Sequence, residues 1–138
     1  MLVRDVMTHH VVIAAPDASI LQVAQMMSEI DSGVIPIVND ELLGIVTDRD
    51  IVVRAVAELL DLESPVSDIM TEGVESCLED DDLREASRRM ADLQMRRLVV
   101  FDRDGNVTGI LSLGDIAVLN EELAGVTLEE ISDDGERR

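Results

Sequence analysis

The side chains best suited to chemistry in this 138-residue sequence belong to one short pattern that occurs twice. The pattern is a glycine, two aliphatic residues, a hydroxyl residue, two variable residues and an aspartate. Its first copy ends in Thr47 and Asp50, and its second copy ends in Ser112 and Asp115. Where such a pattern occurs once, it usually indicates a helix N-cap with a favourable negative charge in the first turn.

The functional interpretation of the same pattern is the binding of an anion and a sugar. A helix N-terminus offers free amide groups to an anion, and the hydroxyl of Thr47 adds a further donor. The carboxylate of Asp50 can accept hydrogen bonds from two vicinal hydroxyl groups, such as those of a ribose. Because the pattern occurs twice, each time at the end of a short apolar strand pair, this interpretation is more specific than a single cap would allow.

The elements that must position these residues are also repeated. Residues 3–8 reappear as residues 66–71, and the two copies stay aligned until a two-residue insertion in a turn. Each copy predicts a short strand, a helix, two strands joined by a turn, and a second helix after the hydroxyl residue. We therefore expect an α/β (α+β) fold in which two strand–helix–strand–strand–helix repeats pack as a pseudo-two-fold pair. A repeat of about 60 residues is marginal for a separate core, so both should fold as one body.

The first helix of each copy is indicated by its cap and by an apolar stripe. Ser19 with Gln22, and Asp82 with Glu85, match the capping-box pattern. The residues at helical spacing behind these caps are Ile20, Val23, Ala24, Met27 and Ile30, and then Leu83, Ala86, Met90 and Leu93. The other predicted elements are short strands at 11–13 and 74–77 and turns at 39–41 and 102–106.

The repeat divides the chain into residues 1–62, residues 63–120 and an acidic tail at residues 121–138. Ser64 and Pro65 mark the link between the two copies. The tail mixes apolar residues with charge, and two structures are open to it: a continuation of the last helix or a frayed end.

Composition argues against several classes of partner. The chain has 30 acidic and 11 basic residues, a net charge of −19, and all of its bases are arginine. Such a surface should repel nucleic acids and anionic membranes. There is no apolar run of the ~18 residues that a membrane-spanning helix requires, and residues 1–7 lack the apolar stretch of a signal peptide, which predicts a cytoplasmic protein. The absence of lysine favours a source among salt-accumulating (halophilic) archaea, because concentrated salt screens surface repulsion.

The residue types and motifs of the sequence also predict a protein that is not an enzyme. We find no nucleophile–base pair and no glycine-rich phosphate loop, so no residue is assigned a catalytic role. Two histidines and one cysteine make a structural zinc site improbable. The single cysteine, Cys77, has no partner for an internal disulfide, and its acidic neighbours Glu75 and Glu79 would not stabilise a thiolate.

The repeated segments resemble the cystathionine-β-synthase (CBS) domain, and residues 1 to about 120 resemble a pair of such domains. The resemblance is carried by residues 5–8 (DVMT), 32–38 (SGVIPIV) and 44–51 (GIVTDRDI), and by 109–116 (GILSLGDI) in the second copy. It implies that an adenosine nucleotide (AMP, ADP or ATP) or S-adenosylmethionine binds in clefts between the repeats. Such a ligand would act as a signal, and no cofactor is required.

The resemblance also implies roles for individual residues. Thr47 and Asp50 would mark one site, with the carboxylate on the ribose and the hydroxyl near the phosphates. Ser112 and Asp115 would mark the other site in the same way. Ser32 and Gly33 would border the adenine of the first site.

Arginines 96 and 97 should make the two sites unequal. In kinase-regulating members of the family, a His-Arg pair of one repeat contacts the phosphates of the nucleotide held by the other repeat. Arg96 and Arg97 occupy that position here, while their counterparts Gly33 and Val34 carry no charge. A phosphorylated ligand should therefore prefer the Asp50 site, and the Asp115 site should stay empty or take a less charged adenosyl ligand. The alternative is that both arginines are solvated residues at the start of a strand.

Two functions remain open at this point. One is a sensor that forms a homodimer and signals to another protein chain. The other is an interaction or scaffolding module whose clefts are structural and hold no ligand.

Overall fold

A computed structural model of the chain describes residues 1–130, with the side chains of residues 1–121. The described part is a mixed α+β structure in which two three-stranded sheets are each packed against helices, as the repeat predicts. The strands are β1 (Val34–Val38), β2 (Leu42–Thr47), β3 (Thr71–Glu72), β4 (Glu75–Leu78), β5 (Arg97–Phe101) and β6 (Val107–Ser112). The helices are α1 (Ile20–Ile30), α2 (Asp48–Asp50, continued by a π-helix over Ile51–Val56), α3 (Leu83–Leu93) and α4 (Leu113–Glu130), with 3₁₀ turns at Val3–Asp5 and Val66–Asp68.

The caps that predict α1 and α3 are present at both helices. At α1 the capping box is complete, with Gln22 N donating to Ser19 Oγ at 3.0 Å and Ser19 N donating to Gln22 Oε1 at 2.9 Å. At α3 the Asp82 carboxylate accepts from Glu85 N at 3.2 Å. The stripes behind these caps face the cores through Ile20, Val23 and Met27, and through Leu83, Ala86 and Met90. Leu93, at the last position of its stripe, is 43% exposed.

Each sheet contains an antiparallel hairpin, β1–β2 in the first copy and β5–β6 in the second. The strand that the repeat predicts before each hairpin forms only in the second copy. There, β4 runs parallel to β5, and beyond its end Glu79 N donates to the Phe101 carbonyl at 2.9 Å. In the first copy the prediction of a strand at 11–13 is wrong, because pairing is limited to Ala14, which bridges Ile37. Ala14 N donates to the Pro36 carbonyl, but Pro36 has no N–H for the next ladder bond, towards residues 11–13. On the other side of Ala14, the residue equivalent to Glu79 is Pro16, which cannot make the bond that Glu79 makes.

The segment that begins each copy, residues 3–11 in the first and residues 66–74 in the second, crosses over to the core of the other copy. We call it the crossing segment. Val66 and Ile69 are almost fully buried in the core beneath β1, β2 and α1, while Val3 and Met7 are buried in the core beneath β5, β6 and α3. The residues that follow extend the sheets, since β3 pairs with β2 and Thr8 bridges Ile110. We use "first unit" for the β1–β3 sheet with its core and "second unit" for the β4–β6 sheet with its core. Because the segments cross, each core contains residues from both sequence copies. The domain boundaries predicted from the repeat, at 62/63 and 120/121, remain predictions.

The last helix extends into the acidic tail. Helix α4 runs to Glu130, which supports continuation of the helix for the first part of the tail, and residues 131–138 lie outside the described residues. Among the described residues, no helix combines the length and apolar character needed to cross a membrane.

Candidate functional site

The first copy of the repeated motif lies where β2 ends and α2 begins. Thr47 is the N-cap of α2, and its hydroxyl oxygen accepts from Asp50 N at 3.2 Å. Thr47 N in turn donates to Asp50 Oδ2 at 3.0 Å. This reciprocal pair is a capping box, so the helix-cap interpretation of the motif is correct for the protein without a ligand. Asp50 is nevertheless unusual for a cap residue, because it is 9% exposed.

The Asp50 carboxylate has two further contacts outside its own helix turn. The hydroxyl of Thr71, at the start of β3, donates to Asp50 Oδ2 at 3.4 Å. The Nε of Arg54 lies 3.8 Å from Asp50 Oδ1 in an ion pair. Arg54 also donates from Nη1 to the carbonyls of Ile69 and Met70, each at 3.3 Å. The carboxylate is therefore held between its own helix and the segment that crosses from the second copy.

The second copy of the motif keeps the hydroxyl cap and the threonine partner of the first copy. Ser112 ends β6, and its hydroxyl oxygen accepts from Asp115 N at 3.1 Å. The hydroxyl of Thr8 donates to Asp115 Oδ2 at 3.5 Å, as the hydroxyl of Thr71 does to Asp50. The position that corresponds to Arg54 is Leu119, which packs against the second core. Asp115 therefore has the hydroxyl partner that Asp50 has, with leucine in place of the arginine.

A cleft opens beside each of the two motifs. The first cleft is about 150 Å³ and is lined by Ile45, Thr71, Glu72, Gly73, Val74, Met95, Arg96 and Arg97. The second cleft is about 180 Å³ and is lined by Thr8, Val11, Ser32, Val34, Arg97, Ile110, Ser112 and Asp115. Both clefts are open to solvent and smaller than the ~300 Å³ lower limit of typical ligand pockets. A nucleotide would thus be only partly enclosed in either.

The two clefts correspond to each other under the internal repeat. Each has an isoleucine from the second hairpin strand, a threonine and a valine from the crossing segment, and residues from the start of the first hairpin strand. Arg97 lines both clefts, so this residue lies at the boundary between the two units. The clefts therefore form one pseudo-symmetric pair that shares an arginine.

The structure places five of the eight predicted site residues in the cleft linings; Thr47 and Asp50 line neither cleft, and Ser32 and Gly33 lie apart from the group predicted for them. Arg96 and Arg97 line the first cleft, where Thr71 connects them to Asp50, and Ser112 and Asp115 line the second. Ser32 was predicted to border the Asp50 site, and it lies instead in the second cleft beside Ser112. Ser32 precedes β1, and this end of β1 faces the crossing segment at Thr8, so its position follows from the exchange of segments between units.

Gly33 directly precedes β1 and contacts the first residue of α2, and it belongs to neither cleft lining. Its carbonyl accepts from Asp48 N at 2.9 Å. A Cβ at Gly33 would stand 2.8 Å from the Asp48 carboxylate oxygen. Glycine at this position therefore leaves room for the first turn of the helix that carries Asp50.

Fixed charges differ between the two clefts. The first is lined by Arg96, Arg97 and Glu72, and the charge of the neighbouring Asp50 is balanced by Arg54. The second is lined by Arg97 and Asp115, whose charges are opposite. The first cleft is thus the more positive of the two, although the chain as a whole is strongly acidic.

Thr8 and Thr71 are the site residues that sequence reasoning missed. Each donates to the motif aspartate of the opposite copy, because the crossing segment that carries it passes beside that aspartate. The signal was present in the repeat, since residues 3–8 and residues 66–71 both end in threonine. What the repeat did not show is that each threonine serves the other copy.

The remaining reactive groups form no additional centre in the described residues. Among them, no cluster of three or more histidine, cysteine, aspartate or glutamate side chains could hold a metal ion. The ring of His9 is exposed and its Nε2 lies 3.0 Å from the Arg4 carbonyl. Burial raises the pKa of the Cys77 thiol to about 11, which removes it as a nucleophile near neutral pH.

Comparison with known proteins identifies the family of the chain. The family model described as "CBS domain" matches residues 3–56 and 66–121. The CBS domain-containing protein YhcV of Bacillus subtilis is 39% identical over 133 residues, which cover 94% of each chain.

Two solved structures show the same fold with bound ligands. The CBS domain pair of protein MJ0100, in complex with 5-methylthioadenosine and S-adenosyl-L-methionine, is 27% identical with a TM-score of 0.71 over 88% of this chain and 97% of that one. The CBS domain protein PAE2072 of Pyrobaculum aerophilum, complexed with AMP, is 26% identical with a TM-score of 0.71 and the same coverage. The sources of these relatives do not test the halophilic origin predicted for this chain, which remains a prediction.

Proposed function

The chain belongs to the CBS domain family, with two copies of the domain, and from this premise we propose that it is a regulatory module that binds an adenosine-type ligand between its units. The observation that carries the proposal is the pair of equivalent clefts, each beside a hydroxyl and a carboxylate and both lined by Arg97. Solved relatives with the same fold are described in complex with AMP, S-adenosyl-L-methionine and 5-methylthioadenosine. Ligand binding would change how the two units are held, and a partner protein would respond to that change.

The residues around each cleft suit the parts of an adenosine ligand. The carboxylates of Asp50 and Asp115 are the groups that would accept from the ribose hydroxyls. Branched aliphatic side chains, such as Ile45 and Val74 in the first cleft, supply apolar surface for the adenine. Because Phe101 is the only aromatic residue of the sequence and lies outside both linings, aromatic stacking plays no part in this proposal.

We expect the charged residues that line each cleft to determine which adenosine-type ligand it binds. Arg96 and Arg97 would contact phosphate in the first cleft, where each charge-assisted contact is worth roughly 1.5–3 kcal/mol if desolvated and less in concentrated salt. In the second cleft Asp115 offsets Arg97, which favours a neutral or cationic adenosyl group. We therefore assign AMP, ADP or ATP to the first cleft and S-adenosylmethionine or methylthioadenosine to the second.

Thermal shift with dialysed protein tests this function directly. AMP, ADP, ATP, S-adenosylmethionine and methylthioadenosine would each be added in low salt and in molar KCl. A ligand at about 100 times its Kd stabilises the folded state by about 2.7 kcal/mol, which should raise the Tm by several degrees. Arg97→Ala should weaken AMP binding, and Asp104→Asn, in an exposed turn outside both clefts, is the matched control. If none of the five ligands raises the Tm, the sensor function is rejected.

A ligand-free interaction module is the second candidate. The observation that favours it is the state of Asp50, whose carboxylate already has Thr47, Thr71 and Arg54 as partners. Under this alternative the clefts are structural and the protein acts through its surfaces. The same Tm measurements separate the two candidates, because only the sensor responds to adenosine compounds.

We also propose a homodimer formed through the π-helix of the first unit. Its side chains Val52, Val53 and Val56 are 47–59% exposed, and Leu59 just beyond it is 91% exposed. A second copy of this surface would bury these side chains in a symmetric contact. The regulated partner chain and the cytoplasmic location remain predictions within the same proposal.

Sedimentation velocity tests the dimer. The wild-type chain should sediment as a species of twice its 15.1-kDa mass, and Val56→Glu should shift it towards the monomer by placing a charge in the interface. Ile13→Glu is the control, since Ile13 is 48% exposed and lies outside the π-helix. A monomeric wild-type protein, or dissociation by both variants alike, would contradict this interface.

A further inference from the structure

The two units differ at one position of the frame that holds the motif aspartate. Arg54 lies four residues after Asp50, and its counterpart Leu119 lies four residues after Asp115. Each aspartate also has a hydroxyl N-cap before it and a threonine from the crossing segment beside it. Asp50 is in addition the more buried of the two and accepts from the N–H of its N-cap residue Thr47 at 3.0 Å. Of these differences, the one between Arg54 and Leu119 changes the charge directly beside the aspartate.

Arg54 connects three parts of the first unit. Its Nε pairs with Asp50, and its Nη1 donates to the carbonyls of Ile69 and Met70, which directly precede Thr71. The Asp50 side chain is 11% exposed and the Arg54 side chain 51% exposed, so the arginine brings a compensating positive charge to a nearly buried carboxylate. In the second unit Leu119 makes apolar contacts with the core, and the charge of Asp115 is not compensated from this position.

We propose that Arg54 is the positioning residue that makes the first cleft selective for a phosphorylated ligand. By neutralising Asp50, it leaves Arg96 and Arg97, opposed by Glu72 alone, as the charges that line that cleft. The inference rests on the proposed function, because it requires an adenosine-type ligand beside Asp50. It goes beyond that function by assigning the difference in ligand charge between the clefts to one residue that lies outside both cleft linings.

The reasoning is electrostatic and follows from distance and exposure. An uncompensated carboxylate at Asp50 would lie next to Thr71, which lines the cleft, and would repel a phosphate bound there. This repulsion acts through space, so Arg54 need not contact the ligand. Since Arg54 is half exposed, salt should weaken its effect, and the selectivity should be strongest at low ionic strength.

Arg54→Leu copies the residue of the second unit and is the first test. Binding of AMP and of uncharged adenosine would be measured by titration calorimetry at low salt and in molar KCl. To measure binding at the first cleft alone, the parent chain and the variant would both carry Ser32→Phe, whose aromatic ring should fill the second cleft. At low salt we expect AMP affinity to fall by about three- to tenfold while adenosine affinity changes by less than about twofold.

Two further variants separate charge from structure. Arg54→Lys keeps the charge and should restore most of the preference for AMP. Leu119→Arg introduces the missing charge beside Asp115 and, in a chain with an unmodified second cleft, should raise the AMP affinity of that cleft relative to adenosine. Because this last variant leaves the first unit intact, it remains informative if Arg54→Leu folds poorly.

Three results would overturn the inference. The first is an equal loss of AMP and adenosine affinity in Arg54→Leu, which would show that Arg54 only holds Asp50 or Thr71 in place. The second is an unchanged AMP-to-adenosine ratio at low salt in every variant. The third is a wild-type chain that binds neither compound, which rejects the proposed function itself and the selectivity with it.

Discussion

The environment of Cys77 shows how burial sets the chemistry of one side chain. The thiol lies in the second core, 6% exposed, between β5 and α3. Burial of the thiol, and to a smaller extent the nearby charge of Asp81, raise its pKa from 9.0 to about 11 against the opposing effect of Arg89. Because the folded state favours the neutral thiol, this group contributes to stability below pH 9, and the contribution is lost as the pH rises from 9 towards 11.

Cys77 should therefore be almost inert in the folded protein. At pH 8 we expect iodoacetamide to alkylate it much more slowly in buffer than in denaturant, since both burial and the raised pKa keep the thiolate scarce. Mass spectrometry of samples taken over time measures both rates. Equal rates in the two conditions would contradict the buried position of this residue.

Two glycines of the repeated motif are required by the crossing strands. A Cβ on Gly109 would stand 2.6 Å from the Thr8 carbonyl oxygen, and a Cβ on Gly44 would come still closer to that of Thr71. Both neighbours are backbone atoms of the paired segment, so they cannot rotate away as a side chain would. The motif glycines thus allow the crossing segment to approach the sheet at the edge of each cleft.

Replacement of these glycines should destabilise the protein. Gly44→Ala and Gly109→Ala should each lower the free energy of unfolding by about 1–3 kcal/mol, because the added methyl overpacks a backbone contact. Urea titrations followed by circular dichroism give these values. Gly114→Ala is the matched control: its Cβ would meet nothing closer than the Ser112 hydroxyl at 3.6 Å, so it should be neutral or stabilising by at most about 1 kcal/mol. Similar losses in all three variants would contradict this explanation.

The molecule as a whole is held together by the exchange of segments between its cores. Residues from both sequence copies are buried in each core, so neither core is complete without the other half of the chain. Unfolding of one unit would expose apolar side chains that belong to the other. We therefore expect one cooperative transition for the two units.

Ile69→Ala tests this coupling at a large buried side chain of the crossing segment. Ile69 is 1% exposed in the first core, so its truncation should lower the free energy of unfolding by about 2–5 kcal/mol. Calorimetry should show a single transition that moves to lower temperature as a whole. Ile13→Ala, at a half-exposed side chain, should change stability by less than about 0.5 kcal/mol. A variant trace that splits into two transitions would show that the units unfold independently.

Much of this architecture could be predicted from the sequence because its causes are local. Helix caps, apolar spacing and the repeat depend on residues within one or two turns or strands of each other, and they gave the helices, the hairpins and the paired motif. The strand at 11–13 was predicted from the same kind of pattern and is absent. Its pairing depends on an N–H from β1, outside the apolar run, and the β1 residue that would donate it is Pro36, which has none.

The candidate site required the tertiary structure because its parts come from distant segments. The repeated motif in the sequence singled out Thr47, Asp50, Ser112 and Asp115, and the family resemblance singled out the two adjacent arginines. The sequence by itself could not show that Thr8 and Thr71 cross to the opposite aspartate, that Ser32 lies with Ser112, or that Arg97 lines both clefts. Those contacts depend on how two cores share their segments, and that sharing is fixed by packing over more than 60 residues of chain.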